Sequence, residues 1–207
     1  MKPHAAPGTI VAADLPPAET LAGTAPNAHP GSPSSCSAAP PDFDSAMFRS
    51  VLGQFATGVT IITTRAANGD LVGITASSFN SVSLSPPLVL WSLATQSGSM
   101  PVFQANSHYV INVLAATQVN LCLRFANNKG NRFEGVPYRL TDSGIPILDG
   151  ALAWFECHNR SRYAEGDHII FVGEVERCAL NEGPTQTDPL VFHGGRFHTV
   201  DGIDGVD

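Results

Sequence analysis

Thr57-Gly58-Val59-Thr60-Ile61-Ile62-Thr63-Thr64, the turn Asn68-Gly69-Asp70, and then Leu71-Val72-Gly73-Ile74-Thr75-Ala76-Ser77-Ser78-Phe79 make up the stretch whose reading decides the fold. The first run is dense in β-branched residues, which pack well on a pleated surface, and it predicts a strand over Thr57 to Thr64. Asn-Gly supplies the positive φ of a tight turn, so Leu71 to Thr75 is expected to return antiparallel and complete a hairpin. From Gly73 to Phe79 small hydroxylated residues stand where a strand would alternate bulky side chains. Such Gly/Ala/Ser/Thr clusters ordinarily close strands or make turns. They also leave N–H groups and short hydroxyls open to a flat polar ligand or a phosphate. Gly58 has the same property at the start of the first strand, where a missing side chain lets another backbone or a ligand come close.

Working outward, Asp44 is placed to cap a helix whose Phe48, Val51, Leu52 and Phe55 recur at helical spacing, with Phe43 and Phe48 available as a hydrophobic staple. Downstream, Ser81 to Ser85 reads as strand, Pro86-Pro87 as an extended break, and Leu88 to Leu93 as a buried strand by its near-continuous apolar run. Ser97 or Ser99 caps a short helix through Phe103. Tyr109 to Leu114 is a further strand, and Thr117 is expected to cap a helix carrying Cys122 and Phe125. Ala153 to His158 and Ile169 to Val175 read as strands, and Leu190-Val191-Phe192, His193-Gly194-Gly195 and Arg196 to Val200 close the chain with a hairpin. Many strands, few short helices and frequent turn signals imply a mainly β protein, an antiparallel barrel with peripheral helices. A doubly wound dinucleotide sheet is disfavoured, because no G-x-G-x-x-G follows a strand.

Composition narrows the class. A chain of 207 residues, 43% hydrophobic and 14% charged, can bury one sizeable core. A net charge of -7 with 11 scattered Lys and Arg argues against a nucleic-acid surface. No apolar run reaches the roughly 20 residues of a membrane span. Cys36, Cys122, Cys157 and Cys178 are widely spaced without a Cys-x-x-Cys pair, and the histidines form no H-E-x-x-H, so neither a disulfide framework nor a metal site is expected; free thiols fit a cytoplasmic location. Nine of the sixteen prolines fall before Phe43 and no aromatic residue does, so residues 1–41 are expected to be a disordered arm, 42–200 the folded domain and 201–207 a tail.

Seven motifs then stand in a recognisable order: Phe55-Ala56-Thr57-Gly58-Val59-Thr60, Gly73-Ile74-Thr75-Ala76-Ser77-Ser78-Phe79, Ser83-Leu84-Ser85-Pro86-Pro87-Leu88-Val89, Asn112-Val113-Leu114, Arg132-Phe133, Gly166-Asp167-His168 and Gly194-Gly195. In this the chain, from Asp44 to Thr199, closely resembles the flavin reductase family, the small reductase components of two-component flavin-dependent monooxygenases. Ile74 stands where the family commonly has methionine, and Tyr138 near a common tryptophan.

The resemblance implies a split-barrel flavin-binding fold, a homodimer with flavin near the subunit interface, and reduction of free FAD or FMN by NADH or NADPH. The reduced flavin would leave to serve a separate oxygenase. It implies that Thr57, Gly58, Val59 and Thr60 border the isoalloxazine, and that Thr75, Ala76, Ser77 and Ser78 offer hydrogen bonds to ring and ribityl-phosphate. Ser92, Ser97 and Ser99 become candidate phosphate neighbours, Phe125 and Arg132 candidate contacts to the flavin or its adenylate tail. His168, steadied by Asp167, becomes the candidate for orienting the nicotinamide. By their residue types alone, the serines serve equally as caps, Phe125 as core, Arg132 as surface and Gly166-Asp167-His168 as a turn entering a strand. A flavin-retaining oxidoreductase and a non-enzymatic flavin-binding module are the alternatives on the same barrel.

Overall fold

The computed structural model describes residues 39–127, 130–181 and 188–200. All but the last three residues of the expected arm, and the whole of the tail 201–207, lie outside the described residues. Among the described residues the order is α1 (Ser45–Leu52), β1 (Thr57–Gly58), β2 (Thr60–Arg65), β3 (Leu71–Ala76), β4 (Asn80–Leu84), β5 (Pro87–Ala94), α2 (Met100–Ala105), β6 (His108–Val113), a 3-10 turn (Ala116–Gln118) and α3 (Val119–Ala126). There follow β7 (Tyr138–Leu140), β8 (Pro146–Leu148), β9 (Ala153–Glu165), β10 (His168–Leu180), β11 (Val191–His193) and β12 (Arg196–His198).

The expected hairpin forms. Ala66 N–H donates to Asp70 O at 2.8 Å, Gly69 turns at φ 93, and Thr60 pairs with Ala76 through to Arg65 with Leu71. Antiparallel pairing extends this ribbon to a seven-stranded sheet in the order β3-β2-β6-β9-β10-β5-β4. Its two edge strands, β3 and β4, are consecutive in sequence and joined by Ser77–Phe79, so the sheet curls back on itself. At that seam Ser92 N–H of β5 donates to Ser78 Oγ at 2.9 Å, and the hydroxyl donates back to Ser92 O at 3.2 Å. The result is the mainly β split barrel that the sequence implied.

Inside the barrel Trp91 stacks on Phe171 at 4.6 Å and meets Phe103 and Tyr109 edge-on at 5.1 and 5.5 Å, with Ile62, Ile74 and Ile111 filling around them. Complete burial of side chains of this size contributes about 1.5–3 kcal/mol each. A second core lies on the outer face of β2 and β3, where Ile61, Leu114, Cys122, Phe125, Phe133 and Leu190 meet under α3 and the three-stranded sheet β1-β11-β12.

Several local expectations are corrected. The strand expected over Thr57 to Thr64 divides at Val59, whose N–H donates to Leu190 O and whose carbonyl accepts from Leu114 N–H; Thr57 and Gly58 thus join β11 instead of β3. Thr117 caps nothing: it sits inside the 3-10 turn, Gln118 occupies the N-cap position of α3, and Gln118 Oε1 accepts from Ala115 N–H at 3.1 Å. Pro87 already belongs to β5, so the break at Pro86-Pro87 is a tight connection within a β4–β5 hairpin. The β7–β8 ribbon escaped the sequence reading, since three-residue strands carry too few residues for a period. At α1 the reading was right about the helix: Asp44 Oδ1 accepts from Met47 N–H at 2.7 Å, and Phe43 and Phe48 meet at 5.5 Å. Yet α1 buries none of its residues.

One close approach tests the barrel interior. Gly173 lies beside a bulge between β9 and β10, and a Cβ there would fall on Tyr109 Oη and 2.9 Å from Cys157 Cβ. Gly173→Ala is expected to cost about 1–3 kcal/mol by overpacking, read from urea unfolding. Tyr109→Phe should recover part of that loss, and a neutral Gly173→Ala would refute the packing described.

Candidate functional site

The β2–β3 ribbon brings the two small-residue segments together. Thr60 Oγ1 donates to Ala76 O at 2.8 Å, and Thr75 Oγ1 donates to Cys122 O of α3 at 2.7 Å. Val59, Thr60 and Ala76 are buried, whereas Ser77 and Ser78 are exposed at the barrel seam. Because Asp70 bonds inward to Ala66, strand alternation turns the main chain of Val72, Ile74 and Ala76 toward β2 and that of Leu71, Gly73 and Thr75 outward. The Arg132 guanidinium confirms that direction by donating to Gly73 O from outside the sheet.

Two features of β1 mark the ground beside this ribbon as open. Thr57 Oγ1 is buried and has no hydrogen-bond partner among the described residues. A Cβ at Gly58 would meet nothing within 4 Å. A buried hydroxyl without a partner costs about 1–3 kcal/mol, a penalty that a bound polar group removes.

Across the seam, alternate residues Leu88, Leu90, Ser92 and Ala94 of β5 share the less buried face, and Ser92 and Ala94 pair with Ile170 and His168 of β10. Ser92 and His168 therefore lie on one surface, separated by about 7 Å along the strands. Gly166, at φ 58, turns β9 into β10. Asp167 O accepts from Thr95 N–H at 2.9 Å and Thr95 Oγ1 at 3.1 Å, which ties this turn to the segment leading to α2. His168 Nδ1 lies 2.7 Å from Asp167 Oδ1. That hydrogen bond, aided by the imidazole's charge when protonated, pulls the Asp167 carboxyl below its ordinary value. In the neutral ring an Nδ1–H donated to Asp167 leaves Nε2 as an acceptor.

Ser99 stands at the N-cap position of α2 without a side-chain cap bond, and its N–H donates to Ser97 Oγ at 3.3 Å. Phe125 is core, 1% exposed, with its ring where a Cβ of Gly73 would sit, 2.7 Å from Cδ1. Arg132 also donates to Asn127 O at 2.8 Å, and partial burial pulls its guanidinium below the usual arginine value. The structure thus assembles Thr57–Thr60, Thr75–Ser78 and Ser92 around the seam, with Asp167–His168 and Ser97–Ser99 joined beyond it. Phe125 and Arg132 sit behind and at the free edge of β3.

That edge opens into a cleft of about 710 Å³ whose lining includes Arg65, Leu71, Gly73, Ser99, Arg132 and Tyr138. Arg65 and Tyr138 line this cleft but were not among the candidate site residues; they belong to none of the seven motifs, and only the β2–β3 turn and the β7 ribbon bring them beside Gly73. Among the described residues no group of three or more His, Cys, Asp or Glu is gathered as metal ligands would be. Burial pushes the Cys122 thiol up to about 11, so it stays protonated near neutral pH and serves as packing.

Residues 52–201 match the flavin reductase like domain, and the chain belongs to that family. It is 46% identical over 154 residues to the FMN reductase (NADH) SmoA of Agrobacterium fabrum, across 74% of this chain and 85% of the relative. With the reductase subunit HsaB of a Mycobacterium tuberculosis flavin-dependent monooxygenase it shares 38% identity, across 76% and 83% of the two chains. The solved structure of the NADH:FAD oxidoreductase SgcE6 of Streptomyces globisporus, in complex with NAD and FAD fragments, superposes with a TM-score of 0.71 at 35% identity, over 79% of this chain and 96% of that one.

Proposed function

We propose that this protein uses NADH or NADPH to reduce free FAD or FMN and releases the reduced flavin to a separate flavin-dependent oxygenase. The observation that carries the reading is a seam lined by main chain and short hydroxyls, with the unpartnered Thr57 hydroxyl at one end and the Asp167–His168 pair at the other. The flavin supplies the hydride acceptor, so the chain need only bind, orient and shield it. Thr57, Gly58, Thr60, Thr75, Ser77 and Ser78 form the cradle, with Val59 and Ala76 holding its floor from the core. Ser92, Ser97 and Ser99 lie toward the phosphate end. His168, its Nδ1–H held by Asp167, offers Nε2 to the carboxamide N–H of the nicotinamide and fixes the face it presents. No covalent attachment is required, which suits a flavin that departs.

The assembly we propose is a homodimer, supported by α1. Phe43, Met47, Phe48, Val51, Leu52 and Phe55 are 49–75% exposed and lie together along that helix and its flanks. A contiguous apolar face of this kind is stable in water when a second surface covers it. No helix among the described residues is long and apolar enough to cross a membrane. The unbridged Cys122, Cys157 and Cys178 support a cytoplasmic location.

Three outcomes are expected. Purified protein given NADH or NADPH with excess FAD, FMN or riboflavin oxidises the nicotinamide through many turnovers that scale with free flavin; absence of turnover with every flavin would sink the proposal. His168→Ala lowers kcat/KM for the nicotinamide about tenfold, the equivalent of one hydrogen bond, and leaves flavin affinity within about twofold. Unchanged nicotinamide kinetics would remove His168 from the site. Light scattering finds a dimer that Val51→Glu with Leu52→Glu converts to monomer, whereas a monomeric wild type would refute the role given to α1.

A further inference from the structure

The turn ahead of His168 is fastened to the rest of the fold through one residue, Thr95, and we infer that Thr95 is a positioning residue for the nicotinamide, acting through Asp167 and His168 and touching neither ligand. The inference rests on the place given to His168 above. Gly166 and Asp167 form the two-residue connection between β9 and β10, outside the last rung of both ladders, since His168 pairs with Glu165 on one side and with Ala94 of β5 on the other. This tip stands in open space. A Cβ at Gly166 would meet nothing within 4 Å, and the Asp167 side chain is 86% exposed. Among the described residues, no residue outside the hairpin other than Thr95 hydrogen-bonds to Gly166 or Asp167.

What Thr95 holds is the peptide that joins the two side chains of the pair. The Asp167 carbonyl accepts the Thr95 N–H at 2.9 Å and the Thr95 hydroxyl at 3.1 Å. That carbonyl belongs to the peptide bond between Asp167 and His168, and the 2.7 Å contact of Asp167 Oδ1 with His168 Nδ1 bridges the same bond from the side chains. One donor sets the direction of a carbonyl. Two donors from different atoms, both of which its oxygen can accept, fix the rotation of the peptide plane as well. With that plane held, the backbone on either side of it is held, and the His168 ring keeps the orientation in which Nδ1 meets Asp167. The post is stiffer than what it holds. The Ala94 carbonyl accepts from Ser97 N–H at 2.9 Å and the Ser97 carbonyl from Met100 N–H at 2.9 Å, so the chain turns at once from Thr95 into α2. That helix buries Met100 and Phe103, and β9 takes its C-terminal carbonyls: Asn159 Nδ2 donates to Phe103 O at 3.1 Å and to Asn106 O at 3.0 Å, and the Arg162 guanidinium donates to Gln104 O. Branching at Cβ further restricts the Thr95 rotamer. Thr95 itself is exposed, so replacing it deletes a hydroxyl without opening a core.

Steady-state kinetics of the full chain, with NADH or NADPH and whichever flavin turns over, test this. Thr95→Val keeps the main-chain donor and the branched shape and removes only the hydroxyl. It is expected to lower kcat/KM for the nicotinamide about threefold, the share of one hydrogen bond open to water, chiefly through KM, while KM for the flavin stays within about twofold. Thr95→Ser should restore the wild-type values, which a packing role for the methyl would not allow. In a His168→Ala background, Thr95→Val should cost nothing further, because a residue that acts through another loses its effect once the other is gone. Wild-type kinetics in Thr95→Val would overturn the inference, as would a KM for flavin that rises in step with that for the nicotinamide. Equal losses in both backgrounds would overturn it too, being the sign of a direct contact with the ligand. Failure of the underlying reading looks different: His168→Ala alone would then match the wild type, a result that removes His168 and Thr95 together.

Discussion

The absent side chain of Gly73 is the constraint on which this arrangement turns. Phe125 occupies the place of its missing Cβ, so α3 can lie directly on the face of the β2–β3 ribbon, and Arg132 holds its carbonyl from the other side. Any larger residue would push the helix away and break the Thr75–Cys122 hydrogen bond that seats it. With α3 in place, the second core closes, β3 becomes a free edge with ordered main-chain groups, and the cleft beside it acquires a floor.

A free edge is ordinarily a liability, because unpaired N–H and C=O groups invite another strand. Here it is short, bounded by Arg132 and the Asn131–Phe133 turn, and its continuation into Ser77 and Ser78 is consumed by the barrel seam. The seam itself offers backbone groups and small hydroxyls, from Thr75 to Ser78 and Ser92, and no titratable side chain of its own. Such a surface recognises a flat polar ring well and catalyses little on its own, which matches a reaction whose difficult chemistry belongs to the cofactor. The titratable pair, Asp167 and His168, stands on the β5 side of the seam, where the β9–β10 hairpin and the register with Ala94 deliver it.

Much of this was legible in the chain. Asn68-Gly69 and the β-branched runs carry their structural preference within a few residues, and the hairpin and the capped helix α1 formed as read, with β5 and β6 right to within a residue. β9 and β10 run well past His158 and Val175, where they were expected to end, because their mutual pairing carries them on through polar residues with no apolar run. The candidate cradle was legible as composition: glycine, serine and threonine gathered where bulk was expected. Thr117 failed as a cap and Val59 as a strand residue for one reason, that hydrogen bonds to distant segments outcompeted a local preference. The period of α1 announced an apolar face but not its exposure, since burial depends on what packs against the helix and not on the helix.

What the sequence by itself determined was therefore the set of elements, the mainly β class and the identity of the small, close-approach residues, because these follow from backbone preference and side-chain size at short range. Only the tertiary structure decided that Phe125 is a support behind Gly73, that Ser78 closes the seam on Ser92, and that Arg65 and Tyr138 share a cleft with Ser99. Those relations join residues far apart in the chain, and no local pattern encodes them; they exist because curling one antiparallel sheet brings its edge strands β3 and β4 to one seam, and what covers the free edge of β3 is brought there by packing.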